Sequence, residues 1–92
     1  MSAAKGVAEV LGARLQYARR GAGWTQTDLS VLLRRRGLKW SPAIVSLVEN
    51  GDRRLQFTEA VVLVRLLQPF GLTLEDLANA VPYVDVDEEA GE

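Results

Sequence analysis

The sequence contains no cysteine and no histidine. Without cysteine there is no disulfide framework and no thiolate metal site. Without histidine the commonest general base and the commonest zinc ligand are missing. No carboxylate pair clusters before the final ten residues, so acid–base and nucleophilic chemistry lack their parts. The expectation is therefore a non-enzyme with no cofactor and no metal. No apolar run approaches the roughly 18 residues that cross a bilayer. The opening Met1-Ser2-Ala3-Ala4-Lys5-Gly6 has no apolar stretch of the kind a secretory signal needs. A soluble, cytoplasmic protein is expected. Its 92 residues and 48% hydrophobic content suit one small domain with its own core.

The net charge of −1 conceals an uneven distribution. All 11 Lys and Arg precede residue 83, whereas Asp85, Asp87, Glu88, Glu89 and Glu92 fall after it. A mildly basic body, residues 1–82, thus carries an acidic tail, residues 83–92.

Five short helices follow from apolar spacing and from start and stop signals. Val7, Val10, Leu11, Leu15 and Ala18 predict a helix over 7–20, closed by Gly21 and Gly23. Thr25 is a good N-cap with Asp28 three residues on, and Leu29, Leu32 and Leu33 give the stripe of a second helix over 25–36. Gly37 stops it. Ser41-Pro42 opens a third helix over 42–50, since proline suits the first helical position and Ser41 the cap. Asn50-Gly51 ends it. A fourth helix begins at Phe57 or Thr58 and runs to Leu67. It is apolar nearly all round, which marks either a central buried helix or a partner surface. Pro69 and Gly71 end it. Thr73 with Asp76 caps a fifth helix through Leu74, Leu77, Ala78 and Val81, stopped by Pro82. The tail, with Tyr83, Val84 and Val86 among acids, reads as frayed.

Three motifs then stand in order: Trp24-Thr25-Gln26-Thr27-Asp28-Leu29-Ser30, the run from the Ser41 helix start to Val48-Glu49-Asn50-Gly51-Asp52-Arg53, and Gly71-Leu72-Thr73-Leu74-Glu75-Asp76-Leu77. In that order and spacing they resemble the lambda-type repressor and Cro family of helix-turn-helix proteins, over about residues 10–80. The resemblance implies an all-α, five-helix lambda-repressor-like domain, with the helix-turn-helix at helices two and three and helix three in the major groove. It implies phosphate contacts from Gln26 and Asn50 and from Arg53 and Arg54. It also implies an ion pair between Arg19 and Glu49 joining helix one to helix three.

Two departures from the family pattern matter. The turn between helices two and three is longer, through Arg34 to Lys39, so residues 37–40 must rejoin helix three by a different route. The face expected to read bases, Pro42, Ala43, Ser46, Leu47 and Asn50, offers only Ser46 and Asn50 as good hydrogen bonders. Ala43 and Leu47 suit a thymine methyl. Thr27 and Ser41, at the two helix starts, complete the expected DNA-facing set. Lys39 at the entrance to helix three, or DNA shape, would supply specificity. Arg34-Arg35-Arg36 reads as a solvated helix end, and Trp24 and Trp40 as core anchors.

The expected function is a sequence-specific, repressor-like regulator bound to double-stranded DNA as a homodimer, because symmetric dimers match palindromic half-sites. Helix four, through Val61, Val62 or Val64, and the segment Tyr83–Val86 are the expected dimer surfaces. The alternative is a helix-turn-helix module with a protein partner, such as an antitoxin or anti-repressor, docking on the apolar face of helix three.

Overall fold

A computed structural model describes residues 3–80 of the chain, with the surroundings of side chains 9–77. The described chain is all-helical: α1 (Ala3–Gly21), α2 (Gln26–Arg35), α3 (Pro42–Glu49), α4 (Phe57–Leu67), a 3₁₀ turn (Gln68–Phe70) and α5 (Leu74–Ala80). The tail from residue 83, its boundary, and the expected dimer segment Tyr83–Val86 lie outside the described residues.

Polar side chains open these helices at the expected places. Thr25 and Asp28 form a reciprocal box at the start of α2: Asp28 N–H donates to Thr25 Oγ1 at 3.0 Å, and Thr25 N–H to Asp28 Oδ2 at 2.9 Å. Thr73 and Asp76 repeat it at α5, at 2.9 and 3.1 Å. Ser41 Oγ accepts from Ile44 N–H at 3.2 Å, and Pro42 takes the first turn of α3. Each such cap satisfies a donor the helix itself leaves unpaired.

The stops share one geometry. Gly23, Gly37, Gly51 and Gly71 have positive φ, and each is bracketed by the two reversed hydrogen bonds of a Schellman turn. The 3₁₀ turn was not foreseen. Pro69 reads as a terminator, but it tightens the chain into one further turn before Gly71. Among the described residues helix one reaches back to Ala3, four residues before its apolar stripe, because Ala3 and Ala4 are strong helix formers.

The core gathers Leu15 and Ala18 from α1, Leu29 and Leu33 from α2, Val45 and Val48 from α3, and Ala60, Leu63, Val64 and Leu67 from α4. Leu55, Leu72, Leu77 and Trp40 close it. Helix four gives this core four residues, so much of it is buried, and of the residues expected at a dimer surface there only part stays in solvent. Val64 is buried, and Val61 and Val62 are half-buried against the core. Trp40 is the expected core anchor, whereas Trp24 is only half-buried.

Helix α1 meets the end of α3 at backbone distance. A Cβ at Gly12 would overlap the carbonyl oxygens of Val48 and Glu49, and one at Gly51 would lie 2.6 Å from Glu9 Cγ. This close approach brings Arg19, two turns further along α1, within reach of Glu49.

Candidate nucleic-acid interface

The long connection between α2 and α3 is routed by one buried side chain. After Gly37 the chain half-buries Leu38, exposes Lys39 and sinks Trp40 into the core. Trp40 Nε1–H donates to Glu59 Oε2 at 3.2 Å. The extra residues therefore form a loop pinned from beneath, which delivers Ser41 to the start of α3. This is the different route that the longer turn demanded.

Once started, α3 divides cleanly. Val45, Val48 and Glu49 face inward, Ala43, Leu47 and Asn50 face solvent, and Pro42, Ile44 and Ser46 are half-buried. Leu47 is 44% exposed, so it is not a core residue. Of the five residues expected to read bases, Ala43, Leu47 and Asn50 are thus exposed and Pro42 and Ser46 only partly so.

Gln26 and Glu49 come together at the corner of α2 and α3. Arg19 forks onto Glu49 through Nε to Oε2 at 2.6 Å and Nη2 to Oε1 at 3.0 Å. Its remaining nitrogen, Nη1, donates to Trp24 O at 2.8 Å. Gln26 Nε2–H donates to Glu49 Oε1 at 3.1 Å. Glu49 therefore ties α3 to α1 through Arg19 and to the first side chain of α2 through Gln26, and Arg19 in turn holds the turn before α2. The ion pair expected between Arg19 and Glu49 is present in bidentate form, the stronger geometry for a guanidinium and a carboxylate. Gln26 keeps its second amide hydrogen for another acceptor.

A second cluster was not foreseen, and it changes the standing of Arg53. The Arg53 guanidinium forks onto Glu59, Nη1 to Oε1 at 3.1 Å and Nη2 to Oε2 at 3.2 Å. It lies 5.2 Å from the Trp40 ring centroid. Gln56 N–H adds a bond to Glu59 Oε1 at 2.9 Å. Burial pushes the Glu59 carboxyl up. The donors from Arg53, the Gln56 backbone and Trp40, with the Arg53 charge, outweigh it, and the group sits below its usual range. Arg53 is thus committed to an internal latch that ties the loop after α3 to the loop before it. The sequence carried one signal of this: Gln56-x-x-Glu59 has capping-box spacing, and Glu59 interrupts an apolar helix.

No family model, no curated protein and no solved structure matches this chain. The likeness to lambda-type repressors therefore rests on the motifs themselves.

The other expected residues fall around α3. Thr27, Lys39, Ala43, Asn50 and Arg54 are exposed, and Ser41, Pro42 and Ser46 are half-buried. Ser41 spends its hydroxyl on its own cap. The start of α2 is similarly engaged, since the box uses the Asp28 N–H and sets a carboxylate beside the helix end. Arg34, Arg35 and Arg36 are exposed, as a solvated helix end would be. Among the described residues no cluster of acids could hold a metal ion, and no helix is long and apolar enough to cross a membrane.

Proposed function

We propose that this chain is a DNA-binding regulator of the lambda-type repressor kind, which lays α3 in the major groove and acts on double-stranded DNA as a homodimer. The observation that carries the reading is the outward face of α3. Ala43, Leu47 and Asn50 stand clear of the core on a short, doubly capped helix, with exposed Lys39 before it and exposed Arg54 after it. Gln26, held by Glu49, adds a fixed donor beside that face. The mildly basic balance of residues 1–82 supports the same reading. Phosphate contacts set affinity and register, and base contacts set specificity. In this reading Lys39, Arg54, Asn50 and Gln26 supply the first kind, and Ser46, Ala43 and Leu47 the second.

Fluorescence anisotropy with genomic DNA fragments at low and moderate salt tests the proposal. Binding that weakens steeply with salt is expected. No salt-dependent binding to any fragment overturns it.

One observation favours a second reading, a module that binds a protein partner in the manner of an antitoxin or anti-repressor. Leu47 is exposed at the centre of the α3 face, and such a side chain suits an apolar pocket as well as a thymine methyl. Leu47→Arg abolishes binding to a protein partner. On DNA it adds a phosphate-seeking charge and leaves non-specific affinity equal or higher.

A further inference from the structure

The outer face of α2 matches itself in reverse. Asp28, Val31, Leu32 and Arg35 follow the i, i+3, i+4, i+7 spacing of one helical face. With Trp24 they line an open groove of about 300 Å³. Its floor is apolar: Val31 is 37% exposed, Leu32 is half-buried, and Trp24 is half-buried with its ring edge-on to Phe70 at 5.4 Å. Its ends carry opposite charges about 10 Å apart along the helix axis. Neither Asp28 nor Arg35 makes an ion pair among the described residues.

We infer that this groove is the contact between two copies of the chain, packed with their α2 helices antiparallel about a twofold axis. In that arrangement Asp28 of each copy faces Arg35 of the other, and Val31 of each faces Leu32 of the other. The charge pattern selects this occupant. A twofold contact must be self-complementary, with the same patch on both sides. A carboxylate at one end, a guanidinium at the other and apolar side chains between meet that requirement only when the helices run in opposite directions. Antiparallel packing also sets the N-terminal end of each helix dipole beside the C-terminal end of the other. The inference deepens the dimer part of the proposed function, and its test contains no DNA. Its failure therefore leaves the DNA reading standing.

The test is association of the full chain at about 100 µM and low salt, read by light scattering, because a contact of this size gives a weak complex. Wild type is expected to dimerise. Arg35→Glu and Asp28→Lys each place two like-charge pairs in the contact and are expected to weaken association about tenfold or more. An equimolar mixture of the two is expected to associate again, since every pair in the mixed dimer is then opposite in sign. Asp28 also caps α2, so circular dichroism accompanies each variant. Val31→Lys, which touches no cap, is expected to abolish association without rescue by mixing. A monomeric wild type overturns the inference. So does a mixture no more associated than its folded components, or a dimer that survives Arg35→Glu and Val31→Lys. A dimer lost instead on Leu74→Lys places the contact along α1 and α5 and equally overturns it.

Discussion

Arg19 and Glu49, thirty residues apart in sequence, meet as a side-on fork whose carboxylate is almost fully removed from solvent, 1% exposed. Two charges out of water are costly to bury, and the geometry here repays that with two bonds from the guanidinium and a third from Gln26. Taking one partner away leaves the other stranded. Arg19→Ala and Glu49→Ala are each expected to lose about 3–5 kcal/mol, out of a total on the order of 5–14 kcal/mol for a domain of this length. The double variant Arg19→Met, Glu49→Leu is expected to be more stable than either single one. Urea denaturation of the four chains checks this, and a double variant as weak as the sum of the singles contradicts it.

Gly12 and Gly51 stand on either side of the α1–α3 crossing. A methyl group at Gly12 meets backbone carbonyls that cannot turn aside, and one at Gly51 meets the backbone of Glu9 while also straining a φ of 78°. Gly12→Ala and Gly51→Ala are each expected to cost about 3 kcal/mol or more, at the upper end of overpacking penalties. Gly23 has a similar φ of 80° but nothing within 4 Å of the added carbon, so Gly23→Ala should cost only about 1–2 kcal/mol. Equal losses at all three positions would mean that backbone strain, and not the helix crossing, sets the penalty.

The helices were legible because most of their ends are announced. Thr25 with Asp28, Ser41 with Pro42, Thr73 with Asp76, and the four glycine stops are short-range signals, and short-range physics decides them. The Arg19–Glu49 pair came from resemblance, since nothing in residue spacing alone joins positions 19 and 49. The Arg53–Glu59–Trp40 latch was missed because its members lie in three different segments, and only the folded core brings them together. Arg53 looked like a free cation because a loop arginine has no visible partner in sequence. Ile44, Val45, Leu47 and Val48 are all apolar, and only packing shows that Leu47 is the one that faces out.

Glu59 gives the chain an acid sensitivity of definite sign. In the folded state its carboxyl sits below its usual range despite burial, through its bonds to Arg53, Gln56 and Trp40. The stabilisation is complete above the unfolded-state value. It is lost as pH falls through the interval between the unfolded and folded values, and it is gone below both. Urea midpoints of wild type and Glu59→Gln, taken from about pH 7 down to about pH 3, are therefore expected to converge on acidification. A constant gap across that range would show that Glu59 contributes by shape and not by charge.

Arg53 and Lys39 separate the latch from the DNA contact. Arg53 spends both terminal nitrogens of its guanidinium on Glu59 and lies over the Trp40 ring. Removing it strands a buried carboxylate and frees the indole, so Arg53→Ala is expected to lose about 2 kcal/mol of stability. Arg53→Lys recovers only part of that, because an ammonium cannot fork or stack in the same way. Lys39 is exposed at the entrance to α3 and can leave without disturbing the core. Lys39→Ala should keep the wild-type urea midpoint. It should flatten the plot of log affinity for DNA against log salt by about one unit, the signature of one phosphate contact removed. Arg53→Ala, measured where it remains folded, should change that slope by less than Lys39→Ala does. The reverse ranking would mean that a phosphate can draw Arg53 off Glu59, and that the latch opens when DNA binds.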